Sequence, residues 1–357
     1  MAATARHLLV PRWWEADGEG ADWGGLRDGP SDRNVWMEAA YSDRTLVTQA
    51  GDRHADHARP GERCSGWPTS SATLPSLVVR MLRHLEVFPG AAVLDVATGS
   101  GYSAALLSRL LEDELVTSID VDPYLTEMAA ERLDQMDLRP KVVTCDATGT
   151  LPGEFDGIVS MVSVRPVPAS WLAALRPGGR LVTVISGTSL IITANKREDG
   201  GATGTVERDR AMFMKTRHGT DYPPEPAGLW IAAFEQEGEE VTTGRYPMVN
   251  VSDAWELRSM LEVVCPGIEH RYRESSDDGR QTAWMAHPDG SWARASAIWD
   301  ELPTVRQGGP RRLWDTLDEV RHHWMRNGEL PLLGSKVSID PTGKIMLSRG
   351  WWKATIT

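Results

Sequence analysis

The stretch VLDVATGSGYSAALL (93–107) decides how this chain is read. A short apolar run ends in Gly99-x-Gly101, and a helical pattern follows at once. Glycines at such a junction let backbone amides approach a ligand where a Cβ would obstruct, and the new helix presents its N-terminus there. Ala104 completes G-x-G-x-x-A, and Asp120 lies nineteen positions after Gly101, at the end of the next apolar run. Those features suit a dinucleotide fingerprint, in which the acid takes the ribose hydroxyls. Two others point away from it. Asp95 sits inside the first strand, where dinucleotide sites are more often apolar, and Asp146 ends the third run, placed to accept from an adenine amino group.

Outward from that loop the rhythm is regular. AAVLDVA (91–97), LVTSIDV (115–121), KVVTCDA (141–147), FDGIVSMV (155–162) and GRLVTVIS (179–186) are short, β-branched, apolar runs. They alternate with helical segments near YSAALLSRLL, PYLTEMAAERLDQM and PASWLAALR. Strands apolar on both faces, separated by helices, predict an α/β fold with a doubly wound, mostly parallel Rossmann-like sheet. TLPSLVVRMLRHLEV (73–87) carries apolar residues at helical spacing, with Pro75 in the first turn. Upstream, the Gly- and Asp-rich residues 17–33 read as a surface loop, and 35–51 as ordered but irregular. After residue 187 the rhythm breaks. A hairpin is expected to turn near Asp199–Gly201, followed by a Pro-rich loop (222–226), amphipathic helices over 253–264 and 311–328, and a closing hairpin over 336–352.

DVATGSGYSAALLS, with SIDVDP, TCDA, FDGIV and the paired glycines of LRPGGRLV, resembles a class I S-adenosylmethionine (SAM)-dependent methyltransferase. The resemblance implies SAM as cofactor, held by Asp95, Thr98, Gly99, Ser100, Gly101, Tyr102, Asp120, Val121, Asp146 and Ala147. Within that superfamily, TGSGYSAALLS, TSSATLPSLVVRML and the upstream AYSDRTLVT resemble the protein L-isoaspartate O-methyltransferase family, over about residues 35–190. By position, Thr73 matches that family's active-site Ser/Thr, two residues before Pro75. Ser70 and Ser71 lie in the neighbouring variable stretch, and Trp67 and Thr69 stand where substrate would approach. Leu74 and Ser76 depart from the Ala and His frequent there. RHLLVP (6–11) resembles a segment that in the family usually follows an additional helix. The expected division is an N-terminal segment (1–66), a SAM-binding core (67–190) and a C-terminal α+β substrate-recognition region (191–357).

The hydroxyl cluster at 69–73 suits carboxyl chemistry. A carboxylate is already ionised and nucleophilic at pH 7, so no general base is required. Hydroxyls can hold it in line without the ground-state stabilisation that a Lys or Arg would impose. The competing reading is that Ser70, Ser71 or Thr73 caps the helix that follows. No residue pattern suggests a metal, and the three scattered cysteines form no CxxC pair, which fits a reducing cytoplasm.

A net charge of −12 argues against nucleic acid or an anionic membrane as partner. An acidic enzyme meeting an acidic peptide needs a local basic patch, for which Lys215, Arg217 and His218 are the candidates, with Arg311 and Arg312 second. Nine of the fifteen tryptophans follow residue 228. They fill a core or line a peptide groove, and the sequence does not separate the two. The long extension resembles family members associated with ribosomally made peptides, graspetides and lanthipeptides. There an Asp side chain is methyl-esterified and the ester collapses to an aspartimide. That is the leading expectation. L-Isoaspartyl protein repair is the alternative, and a SAM-binding partner protein without turnover is a further one.

Overall fold

The computed structural model describes residues 4–16, 22–219, 222 and 228–357. Its centre is a ten-stranded sheet. From one edge the order is Lys141–Thr144, Val116–Asp120, Val93–Val96, Phe155–Val164, Leu175–Ile185, Leu190–Lys196, Ala202–Arg210, Lys336–Ile339, Ile345–Arg349 and Trp352–Ile356. The first five strands are parallel, as the βαβ rhythm predicts, with helices Tyr102–Leu110, Pro123–Asp134 and Ala169–Ala174 as crossovers. The other five join antiparallel. The sheet is therefore half parallel, not mostly parallel. Only residues 186–189 separate Ile185 from Leu190, too few for a crossover, so the chain must turn back on itself.

The boundary expected at 190/191 falls inside the strand Leu190–Lys196. The core runs through it as well. Leu94, Ile119 and Ile158 of the parallel half share one hydrophobic cluster with Leu257 and Leu261 of the helix Trp255–Val264 and with Trp314 and Leu317 of the helix Leu313–Asn327. On the opposite face, Leu77, Val78, Met81, Leu82 and Leu85 of the helix Pro75–Leu85 pack with Val93, Val159 and Val182. Among the late tryptophans, Trp292 and Trp314 are buried, whereas Trp299 and Trp351 are exposed.

Two smaller sheets flank this centre. A five-stranded antiparallel sheet is built from Glu240–Thr243, Thr304–Gly308, Trp292–Ile298, Arg280–Ala286 and Glu269–Glu274. The other has six strands and corrects the reading of the N-terminal region. Residues 22–28, expected in a loop, form a strand paired with Arg12–Ala16, whose Trp13 and Trp14 are buried. Residues 17–21 of that expected loop lie outside the described residues. The segment 35–51, expected to be irregular, holds most of the helix Arg33–Tyr41, capped by the Asp32 carboxylate, and the strand Leu46–Ala50. Strand Pro68–Ala72 pairs with that strand, so the hydroxyl cluster is an extended segment held by a sheet. The hairpin turning at Asp199–Gly201 and both late helices form where the pattern put them. The closing hairpin forms too and adds a third strand, Trp352–Ile356. Most of the Pro-rich loop lies outside the described residues.

Gly204 shows how tightly the antiparallel half is laid on. It pairs with Ala194 on one side and Val337 on the other, and a Cβ there would sit 1.8 Å from the Thr193 carbonyl oxygen. Gly204→Ala is expected to cost about 1–3 kcal/mol, the usual range for overpacking, and to lower the urea midpoint of a single transition that includes the parallel half.

Candidate active site

The glycine loop is folded by its own backbone and by one carboxylate. Ala97 and Thr98 amides donate to the Ile119 carbonyl at 2.8 and 3.0 Å, and the Gly101 amide donates to Thr98 at 2.7 Å. The Gly99 amide donates to Asp120 Oδ2 at 2.9 Å. Gly99 and Gly101 take φ of +49° and +84°, the left-handed region that favours glycine. A Cβ on Gly99 would lie 3.4 Å from the Ser71 carbonyl oxygen and 3.7 Å from Ser70 Oγ, so the loop and the hydroxyl strand face each other closely. Beneath the loop Asp95 is fully buried. Its Oδ2 accepts from Ser103 and Ser118 at 2.9 and 2.8 Å, while Oδ1 has no partner among the described residues. Burial pushes the Asp95 carboxyl up to about 7 and raises that of Asp120 as well.

Beside the loop opens a cleft. Gly99, Asp120, Val121, Asp146 and Ala147 line it, together with the apolar Val96, Ile119, Leu125, Met161 and Val162. A segment from the far half of the chain forms its cover. Ser163, near the end of the strand Phe155–Val164, donates from its amide to Met214 and accepts from the Thr216 amide, at 2.8 and 3.1 Å. That bridge lays Met214, Lys215, Thr216 and Arg217 along the cleft.

Arg217 and His218, expected beside substrate, reach the acids at and just past the strand ends. Arg217 lies 3.7 Å from Asp122, and its charge also acts on Asp120. His218 Nδ1 bonds Asp146 Oδ2 at 3.0 Å, while Thr148 donates to Oδ1 through its amide and its hydroxyl at 2.8 and 2.7 Å. Burial opposes the Asp146 charge, but the bonds from His218 and Thr148 outweigh it and hold the carboxyl below its usual range. Lys215 does line the cleft. Arg311 and Arg312 form no free basic patch, since Arg311 pairs with Asp289 and Arg312 with Glu239 and Glu240.

The four hydroxyls divide into two pairs. Thr69 Oγ1 donates to the Gly51 carbonyl at 2.6 Å, and Ser70 Oγ accepts from Thr48 at 3.0 Å, so both are engaged in holding the strand. All four residues line the cleft, but among the described residues only the Ser71 and Thr73 hydroxyls make no hydrogen bond. Neither caps the following helix. Its N-cap is Leu74 with no side-chain bond, and the Ser76 amide is taken instead by Asp43 at 2.9 Å. The expectation that one of the cluster caps the helix is thus corrected: Asp43 of AYSDR reaches across and leaves the two hydroxyls to the cleft. Trp67 is 61% exposed and does not line the cleft. Thr98, Ser100, Gly101 and Tyr102 also stand outside its lining: Thr98 bonds Ser118, and Tyr102 packs under Arg6. Sequence reading missed Met161, Met214, Thr216 and Tyr222, which reach the cleft only through the Ser163 bridge and the strand ends.

A glycine loop beside carboxylates at the ends of successive parallel strands, faced by a hydroxyl strand, is the arrangement of a class I SAM-dependent methyltransferase. Residues 33–217, just over half of the chain, match the family described as Protein-L-isoaspartate(D-aspartate) O-methyltransferase (PCMT). Protein-L-isoaspartate O-methyltransferase 2 of Rhodopseudomonas palustris is 31% identical over 185 residues, covering 49% of this chain and 81% of that relative. The Pyrococcus horikoshii enzyme is 29% identical over 155 residues, covering 42% and 70%. A solved structure of a protein-L-isoaspartate O-methyltransferase overlaps 90% of this chain and 88% of its own, at 18% identity and a TM-score of 0.44. The chain belongs to the PCMT family, and it is a SAM-dependent carboxyl O-methyltransferase.

The residues present fit that cofactor. Gly99 leaves open a space that a Cβ would narrow, and Asp120 and Asp146 offer acceptors at the strand ends.

Two outcomes follow from this geometry. Because folding raises the Asp95 pKa from an ordinary value near 4 to about 7, the native state binds the extra proton between them, and this group's contribution to stability falls as pH rises through that window. Thermal midpoints from pH 4.5 to 7.5 should therefore decline less in Asp95→Asn than in the parent protein. Since His218 occupies an Asp146 oxygen that an adenine amino group would use, His218→Ala should bind S-adenosylhomocysteine as tightly or a few-fold more tightly by calorimetry. Asp146→Ala should lose about tenfold, the worth of one charge-assisted hydrogen bond.

Proposed function

We propose that the acceptor is the free carboxylate of an L-isoaspartyl residue in a peptide or damaged protein. The observation that carries this reading is the pair of unengaged hydroxyls, Ser71 and Thr73, in the lining of the cleft beside the glycine loop. The names of the relatives support the same acceptor. When bound, SAM supplies an activated methyl group on a sulfonium. The residues of this chain supply the rest. Ser71 and Thr73 donate to one carboxylate oxygen and leave the other free to attack, in line with the methyl carbon. Val96, Met161, Val162 and Met214 exclude water from the reacting atoms. Lys215, at the exposed rim, draws an acidic peptide toward the cleft.

A second reading rests on a different observation. Residues beyond the family match, which ends at 217, supply the five-stranded sheet, two core helices and the last three strands of the central sheet. A region of that size suits recognition of one dedicated peptide. On this reading an Asp side chain of a ribosomally made, macrocyclic peptide of graspetide or lanthipeptide kind is esterified. A backbone amide nitrogen then displaces methanol to give the aspartimide. The comparisons favour the isoaspartyl acceptor over this one.

The deciding experiment is mass spectrometry of an L-isoaspartyl peptide and its aspartyl twin after incubation with enzyme and SAM. One added methyl on the isoaspartyl form alone, followed by conversion to the imide (starting mass less one water), supports the first reading. Methylation of neither, alongside SAM binding, moves the acceptor to a dedicated partner peptide or to binding without turnover. With whichever peptide reacts, Ser71→Ala/Thr73→Ala should lower kcat about 100-fold, the scale for losing donors to a reacting oxygen, and leave S-adenosylhomocysteine affinity unchanged.

A further inference from the structure

Arg6 is a charged side chain buried to 1% exposure with no carboxylate at ion-pair distance among the described residues. Its guanidinium donates instead to four carbonyls. Nη1 reaches Ala40 at 2.6 Å, and Nη2 reaches Arg44 at 3.0 Å, Ala72 at 3.0 Å and Thr73 at 3.2 Å. The cation also sits 5.5 Å above the ring of Tyr102, at the start of the helix that leaves the glycine loop. Three stretches far apart in sequence, around residues 40–44, 72–73 and 102, thus meet at one side chain.

A buried guanidinium is costly unless its donors are satisfied, and here Nη1 and Nη2 are satisfied by main-chain oxygens near the hydroxyl strand, while Nε has no partner among the described residues. The neighbouring ties share that target. Thr45 Oγ1 takes the Leu74 amide at 3.2 Å, and Asp43 takes the Ser76 amide. The turn 72–76 is therefore held from outside by the N-terminal layer, not by a cap of its own. A planar fork of five donors can bridge several carbonyls in fixed directions, which an ammonium cannot do.

We infer that Arg6 is a positioning residue for methyl transfer, fixing the backbone of Ala72–Thr73 so that Thr73 keeps its place in the lining of the cleft. It does not touch substrate or cofactor. Its effect on rate runs through Thr73, so this inference rests on the carboxyl-transfer reading for its kinetic arm only.

The test compares the full-length enzyme with Arg6→Lys, which keeps the charge, and Arg6→Gln, which removes the buried charge and keeps two donors. Hydrogen–deuterium exchange of folded protein is measured on peptides covering 68–76 and 93–101. Exchange should quicken in 68–76 and stay unchanged in 93–101. On the acceptor that the parent enzyme methylates, kcat should fall about tenfold or more with KM and S-adenosylhomocysteine affinity within twofold, because orientation and not binding is lost. Adding Thr73→Ala to Arg6→Lys should cost little beyond Thr73→Ala alone. Unchanged exchange in 68–76 in both variants overturns the inference, as does a lowered melting temperature with unchanged kcat, or rate losses that multiply fully. If the parent enzyme methylates neither peptide, the acceptor reading has failed, and the exchange arm still decides the role of Arg6.

Discussion

The carboxylate of Asp120 holds the amide of Gly99 at 2.9 Å, and that one bond ties together the ends of two adjacent parallel strands. It gives the loop a fixed curvature, so that Gly99 faces the hydroxyl strand while the first helix amides point outward. The same carboxylate remains in the cleft as an acceptor. Asp95, one strand over, supports the loop from below through Ser103 and Ser118. Two buried acids close together strain each other's charge, and both carboxyls are raised by burial.

The rest of the site is built by making distant segments share that loop's surroundings. Hydroxyls that point at a reacting carboxylate cannot also cap a helix. The N-terminal layer resolves the conflict: Asp43 takes the helix amide, Thr69 and Ser70 secure the strand, and Ser71 and Thr73 are left over. On the opposite side, Ser163 carries the covering segment by two backbone bonds. Arg217 and His218 then pair with Asp122 and Asp146.

Local pattern carried the parallel half of the fold. Its five apolar runs, the glycine loop and the helix Pro75–Leu85 are each set by neighbours within a few residues, and a period read along the chain finds them. What sequence reading missed is set at long range. Residues 22–28 look like a loop because Gly24, Gly25 and two acids dominate, yet they pair with Arg12–Ala16, and Trp23 and Leu26 pack against the buried Trp14. Composition placed Lys215, Arg217 and His218 together as one basic patch. Three-dimensional pairing separates them, because the last two have acids within reach. Arg6 and Asp43 act on residues more than thirty positions away, and nothing in their own neighbourhoods signals it.

The C-terminal region bears on the site in the same way. Glu262, on the helix Trp255–Val264, accepts from Arg165, the residue that follows the strand Phe155–Val164. Met161 and Val162 of that strand line the cleft, and its Ser163 holds the cover. Gly187, in the turn that starts the antiparallel half, has no room for a Cβ because the Glu262 carboxyl carbon would lie 2.7 Å from it. The helix is thus seated against the ends of two neighbouring strands, one of which, Phe155–Val164, lines the cleft. With Trp314, Leu317 and Leu261 in the same core as Leu94 and Ile158, removing residues after 217 would strip the central sheet of three strands and one face of its cover. The region beyond the family match is consequently part of the scaffold that holds the cleft, because it shares both the central sheet and the core with the parallel half.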